Sequence, residues 1–115
     1  MKTLHILIVE DEPLVAMDLE MMVTEIVTAA VVVQASVAAT KKVLHEALDF
    51  AFLDVDVTNG KTFEVAQTLE RKGVPFAFVS GSPREELPSD LRSAPFIPKP
   101  FYPAQIERVL QAIEH

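Results

Sequence analysis

Four hydrophobic runs in this chain each stop at a residue of one chemical set. Leu4–Val9 ends in Glu10-Asp11, Phe50–Leu53 in Asp54, Val74–Val79 in Ser80, and Phe96–Pro98 in Lys99. Short, continuously apolar runs suit strands buried on both faces, as in parallel sheets. As parallel neighbours they would place their carboxyl ends along one edge, where open α/β sheets bind ligands. Three carboxylates, a hydroxyl and an ammonium would then meet at one spot. That set suits a divalent cation and a phosphoryl group.

The segments between the runs read as crossovers. Pro13 sits where a first helical turn tolerates it, with Asp11 or Glu12 as a cap, and Val15, Leu19, Met22 and Ile26 follow as one apolar stripe. Ala30–Val33 is a short β-branched strand, and Ser36 caps a predicted helix over Val37–Glu46. Asn59-Gly60 signals a turn, and Lys61–Lys72 reads as a helix with Phe63, Ala66 and Leu69 inward, closed by Gly73. Gly81–Pro95 holds Pro83, Pro88 and Pro95, so any helix there is short or broken. Pro103 opens a last helix with Ile106, Val109, Leu110 and Ile113 inward. Strands alternating with helices call for βαβ units, a parallel sheet and an α/β fold.

The 115 residues are one domain's worth, and 50% of them are hydrophobic, enough for a core without staples. The absence of Cys excludes disulfides, thiolate zinc sites and Cys nucleophiles, and fits a cytoplasmic home. A net charge of −7 argues against nucleic acid as a partner. No apolar run reaches the roughly 18 residues of a membrane span. The start, Met1-Lys2-Thr3-Leu4-His5, runs straight into a strand without the layout of a signal peptide. The last helix uses up the chain, so no appended output domain is expected.

Glu10, Asp11 and Asp54 would repel one another unless a cation sat among them. Oxygen ligands without His or Cys point to a hard ion, with Mg²⁺ the default. Asp11 and Asp54 are the expected direct ligands, Glu10 a ligand through water, and Asp56 a ligand through its backbone carbonyl. Asp54 is the candidate nucleophile, able to form an acyl phosphate. Lys99 would neutralise the transferring group's oxygens and Ser80 would donate to one of them. His5, His45 and His115 read as a strand residue, a helix-surface residue and a chain-end residue without metal-ligand spacing. Met17, Met21 and Met22 read as core or helix filler, and Arg84-Glu85-Glu86 as a solvated face.

Ile8-Val9-Glu10-Asp11, Phe52-Leu53-Asp54, Val79-Ser80-Gly81 and Pro98-Lys99-Pro100-Phe101 together resemble the receiver domains of bacterial two-component response regulators. The resemblance covers residues 1–115 as one receiver domain of the stand-alone type. It implies a doubly wound, flavodoxin-like parallel sheet of five strands in order 2-1-3-4-5, with helices on both faces. It implies Asp54 as phospho-acceptor, Glu10 and Asp11 as the acidic metal pair, Ser80 as switch hydroxyl, Lys99 as phosphate-binding lysine and Phe96 as switch aromatic. A cis Lys99-Pro100 bond is expected by the same resemblance. The implied partners are a histidine kinase or phosphotransfer protein and a downstream protein met through the Gly81–Tyr102 surface. A second copy, met through the last helices, is a further candidate. No enzymatic activity is expected beyond self-phosphotransfer and autodephosphorylation.

The chain departs from the family pattern at three places. Ser80 stands where Thr is commoner, Phe96 has no hydroxyl, and the stretch from Asp54 to Gly60 is two residues shorter than usual and has no Pro. Leu53-Asp54-Val55-Asp56-Val57 with Val74-Pro75-Phe76-Ala77-Phe78 is similar to stand-alone receivers served by HWE or related kinases, although Ser80-Gly81-Ser82-Pro83 has no Tyr. Two other functions compete. A phosphorylation-independent binding module is favoured by the shortened loop and opposed by the retained Asp54, Ser80 and Lys99. Asp54-Val55-Asp56-Val57-Thr58 also resembles the nucleophile motif of haloacid-dehalogenase-type phosphohydrolases, but that motif belongs on a first strand, with its acidic pair late in the chain.

Overall fold

The apolar runs become the centre of a sheet because most side chains along them have somewhere dry to go. In the computed structural model, which describes residues 2–113, β1 (Leu4–Val9), β2 (Ala29–Gln34), β3 (Phe50–Leu53), β4 (Phe76–Ser80) and β5 (Phe96–Pro98) form one sheet. Its order is β2-β1-β3-β4-β5 and every neighbouring pair is parallel, as expected. The helices α1 (Pro13–Ile26), α2 (Val37–Lys41), α3 (Phe63–Lys72) and α4 (Pro103–Gln111) make the crossovers and the closing element.

Alternation along the strands divides the core in two. Leu7, Val9, Ala51, Leu53, Phe76 and Phe78 pack with Val65, Ala66 and Leu69 of α3 and with Leu44, Leu87 and Leu91. On the other face Ile6, Ile8, Phe50, Phe52, Ala77, Val79 and Ile97 pack with Leu19 and Val23 of α1 and Ile106 and Leu110 of α4. Phe78 is fully buried, with its ring edge-on to Phe76 at 5.7 Å between centroids. Phe78→Ala is therefore expected to cost about 3–5 kcal/mol in a urea titration. A loss below about 1 kcal/mol would contradict close packing of this layer.

Several elements depart from the sequence reading. The buried line of α1 is Ala16, Leu19 and Val23, with Met22 and Ile26 only half-buried beside it. Its N-cap is Glu12, whose side chain makes no capping bond. Met17 and Met21 are about half exposed on α1, helix filler rather than core. Ser36 does cap α2, its hydroxyl accepting from Ala39 N–H at 3.0 Å. The helix stops at Lys41 all the same, and His45 lies in an exposed turn, not on a helix. Beyond Lys41 the amides of Lys42, Val43 and Glu46 bond three residues back, and Lys72 donates to the Leu44 carbonyl. His115 lies outside the described residues.

β4 begins at Phe76, because Val74 N–H still bonds the α3 carbonyl of Leu69 and Pro75 has no N–H to give. Gly73 closes α3 in a left-handed conformation, φ 74°. Between Gly81 and Pro95 the backbone makes only two 3₁₀ turns, Arg84–Glu86 and Ser89–Leu91. The Lys99-Pro100 bond is cis. Among the described residues no helix is long and apolar enough to cross a membrane.

Candidate functional site

The parallel register sets the site. β1 and β3 pair at Val9 and Leu53, and β4 and β5 pair at Ser80 and Pro98. The residues that follow, Glu10, Asp54 and Lys99, therefore emerge on one edge of the sheet. Backbone bonds fix that edge further: Glu10 N–H donates to Gln34 O, Asp54 N–H to Val9 O and Lys99 N–H to Ser80 O, at 2.9–3.0 Å.

Oxygens of Glu10, Asp11 and Asp54 lie within 4.8 Å of one another. Glu10 and Asp54 are buried, while Asp11 is more open. The Lys99 ammonium bridges the two buried carboxylates, 2.7 Å from Glu10 Oε1 and 3.0 Å from Asp54 Oδ2. Glu10 Oε2 also accepts from Glu12 N–H at 3.1 Å. Burial and the nearby Asp54 charge hold the Glu10 carboxyl above its ordinary 4.5, although Lys99 and the Glu12 amide pull the other way. Burial disfavours the charged form of Lys99, but its two carboxylate partners outweigh burial and raise the ammonium above 10.5. With three carboxylates and one ammonium, the lysine does not fully compensate this acidic cluster. An all-oxygen cluster with residual negative charge and one open member fits a hard divalent cation such as Mg²⁺.

The remaining candidates are spread around this centre. Ser80 is buried at the end of β4, its hydroxyl oxygen accepting from Ser82 N–H at 3.0 Å. Phe96 pairs with Phe78 in the sheet and lies half-buried, with the Arg84 guanidinium 5.3 Å from its ring centroid. Arg84 is not merely solvated, because it also donates to the carbonyls of Arg92 and Ala94. The Asp56 carboxylate lies outside the acidic cluster. It is exposed, paired with Lys61, and accepts from Ser82 Oγ at 3.1 Å, and the Lys61 hydrogen bond lowers its pKa below 3.8.

The shortened stretch after Asp54 is a tight hairpin, an arrangement the sequence reading missed. Asp56–Val57 pairs antiparallel with Gly60–Lys61. Asn59 and Gly60 take positive φ, 74° and 125°, the backbone form that Asn-Gly tolerates best. α3 consequently starts at Phe63 rather than Lys61. Thr62, between the two, was not singled out by sequence, yet it is fully buried against the end of β3.

Over its full length the chain is 35% identical to SdrG from Sphingomonas melonis Fr1, whose solution structure superposes with a TM-score of 0.82 and is likewise covered completely. A CheY-like response regulator receiver domain from Methylobacillus flagellatus matches at 21% identity and TM-score 0.81, over 97% of this chain and 99% of that one. The chain belongs to the receiver-domain family of response regulators. The PhyR response regulator REC domain of Erythrobacter litoralis shares this receiver fold at 24% identity and TM-score 0.82, over 99% of the chain and 92% of its own length. No family model and no curated protein matches the sequence.

Proposed function

We propose that this receiver domain is a phosphorylation-dependent signalling module whose acceptor is Asp54. The reading rests chiefly on one observation: Lys99 bridges Asp54 and Glu10 within the carboxylate cluster at the carboxyl edge of the sheet. The donor is a phosphohistidine on a partner kinase or phosphotransfer protein. An oxygen of the ionised Asp54 carboxylate attacks phosphorus, the bond from phosphorus to the histidine nitrogen breaks, and the imidazole leaves with the electron pair, neutral because its other ring nitrogen carries a proton. The transferring group's charge falls on oxygens that the Lys99 ammonium can reach, and the Ser80 hydroxyl donates a hydrogen bond to one of them.

Glu10, Asp11 and Asp54, with the backbone carbonyl of Asp56, would hold Mg²⁺. Bound there, it supplies positive charge against the phosphoryl oxygens and the clustered carboxylates. Ser80 then leaves Ser82 N–H for the phosphoryl group, Phe96 moves into the vacated space, and the Gly81–Tyr102 surface changes shape for a downstream protein. Two 3₁₀ turns in place of a full helix make this segment inexpensive to rearrange.

Because Lys99 leaves the cluster partly uncompensated, Mg²⁺ is expected to stabilise the fold. At about ten times its Kd the gain is about 1.4 kcal/mol, or roughly 5 °C in Tm by thermal melting. Mg²⁺-dependent labelling by acetyl phosphate, run beside the melt, tests the reading. A receiver-like module that works without phosphate would show neither effect.

A further inference from the structure

We infer that Thr62 is a positioning residue for the phospho-acceptor, its side-chain hydroxyl fixing the backbone from which the Asp54 carboxylate projects. The inference rests on Asp54 as acceptor and goes beyond it by assigning a residue outside the family motifs quoted above.

Thr62 is the N-cap residue of α3, a place where a threonine oxygen ordinarily accepts from an amide of the first helical turn. Here its side chain makes no such bond. Instead Thr62 Oγ1 donates to the Asp54 carbonyl at 2.5 Å, and Thr62 N–H donates to the Val55 carbonyl at 3.0 Å. Both bonds close the base of the Asp56–Lys61 hairpin onto the end of β3. On the other side Asp54 N–H is held by Val9 O, so the acceptor's peptide units are tied before and after the side chain. The residue has no solvent exposure, which leaves water no route to replace the hydroxyl. A loop two residues shorter than the usual one can thereby still present its carboxylate beside Lys99. Small displacements of a reacting atom carry large rate penalties, which makes the hydroxyl matter beyond its contribution to folding.

Thr62→Val keeps the shape and removes the donor, and Thr62→Ser keeps the donor and removes a methyl. Each is labelled with acetyl phosphate at saturating Mg²⁺, well below its own Tm, with rates taken per folded molecule and resolved into the limiting rate and the half-saturating acetyl phosphate concentration. The limiting rate of Thr62→Val is expected to fall about tenfold or more, with little change in half-saturation, and Thr62→Ser to stay within about threefold of the parent. Parent-like labelling of Thr62→Val, or a Thr62→Ser as slow as Thr62→Val, overturns the assignment. If Thr62→Val does not fold, Thr62→Ser decides: a stable but tenfold slower Ser variant rules out the hydroxyl as the agent. Asp54→Asn separates the two readings. Its continued labelling would overturn the acceptor itself, whereas its silence beside an unaffected Thr62→Val overturns only the role of Thr62.

Discussion

Asp54→Asn is expected to reduce labelling by acetyl phosphate or by a cognate kinase to background, at least about 100-fold below the parent. Asparagine has nearly the same shape, and its amide oxygen can still accept from Lys99, but it presents no ionised oxygen to attack phosphorus. The fold should survive, because the closer ion pair of the site, Glu10 with Lys99 at 2.7 Å, remains. Removing one of three clustered carboxylates also relieves repulsion. The variant should therefore melt at or above the parent temperature without Mg²⁺ while gaining less from it. Loss of labelling in a well-folded protein separates a chemical role for Asp54 from a structural one.

Lys99→Met should be the most destabilising substitution at the site. It leaves Glu10, 3% exposed, and Asp54, 8% exposed, without their shared cation. Breaking a buried pair from one side costs about 3–5 kcal/mol, and the partial exposure of Lys99 places the expected loss at the lower end, about 3 kcal/mol at pH 7.5. The direction with pH follows from Glu10. Its folded-state pKa is already above 4.5, so around that value the native protein binds a proton that the unfolded chain does not. Stability from this group therefore rises as pH falls through the folded value. Without Lys99 the folded pKa climbs further, and the deficit of the variant should shrink between pH 7.5 and pH 5. In the parent the Lys99 contribution has the complementary window, present below 10.5 and lost as pH rises through its raised folded value. Urea titrations of both proteins at the two pH values check this. An equal deficit at both pH values would mean that the lysine acts through packing rather than charge.

How much of this was legible beforehand depended on the length of the signal. Leu4–Val9, interrupted only by His5, and Phe50–Leu53 announced themselves because a strand covered on both faces is apolar nearly throughout, and the polar residue after each run marked the sheet edge. Gly73 was readable as a stop because a left-handed residue is needed there. The three prolines in Gly81–Pro95 correctly ruled out a long helix. The stripe on α1 was displaced by a residue because Ala16 packs inward yet is small and carries little weight in a pattern of large apolar side chains. α2 was read as too long, since nothing local revealed that Lys72, far along the chain, would take the Leu44 carbonyl. Two-residue strands such as Asp56–Val57 are too short to show a period, so only their Asn-Gly turn was visible. Thr62 gave no signal at all: the predicted helix began at Lys61 and so enclosed it, and its actual partner is set by the tertiary fold.

The acidic pair, Asp54 and Lys99 were legible as a group although none of them is informative alone. Each is a common residue at a strand end, and what carries weight is their recurrence at successive strand ends. The fold turned that recurrence into proximity, with Asp11, Asp54 and Glu10 within 4.8 Å and Lys99 bonded to two of them. Asp56 was expected to contribute only its backbone carbonyl, and its carboxylate, two residues further on, pairs with Lys61 and Ser82 instead.

Borohydride reduction of the labelled protein, followed by peptide mapping, tests the central claim most directly. Reduction of an aspartyl phosphate converts the side chain to an alcohol at the labelled position alone. Homoserine is expected at position 54, formed only when Mg²⁺ is present during labelling. Homoserine at Asp11 or Asp56, or none in a protein that carries phosphate, would contradict Asp54 as the acceptor.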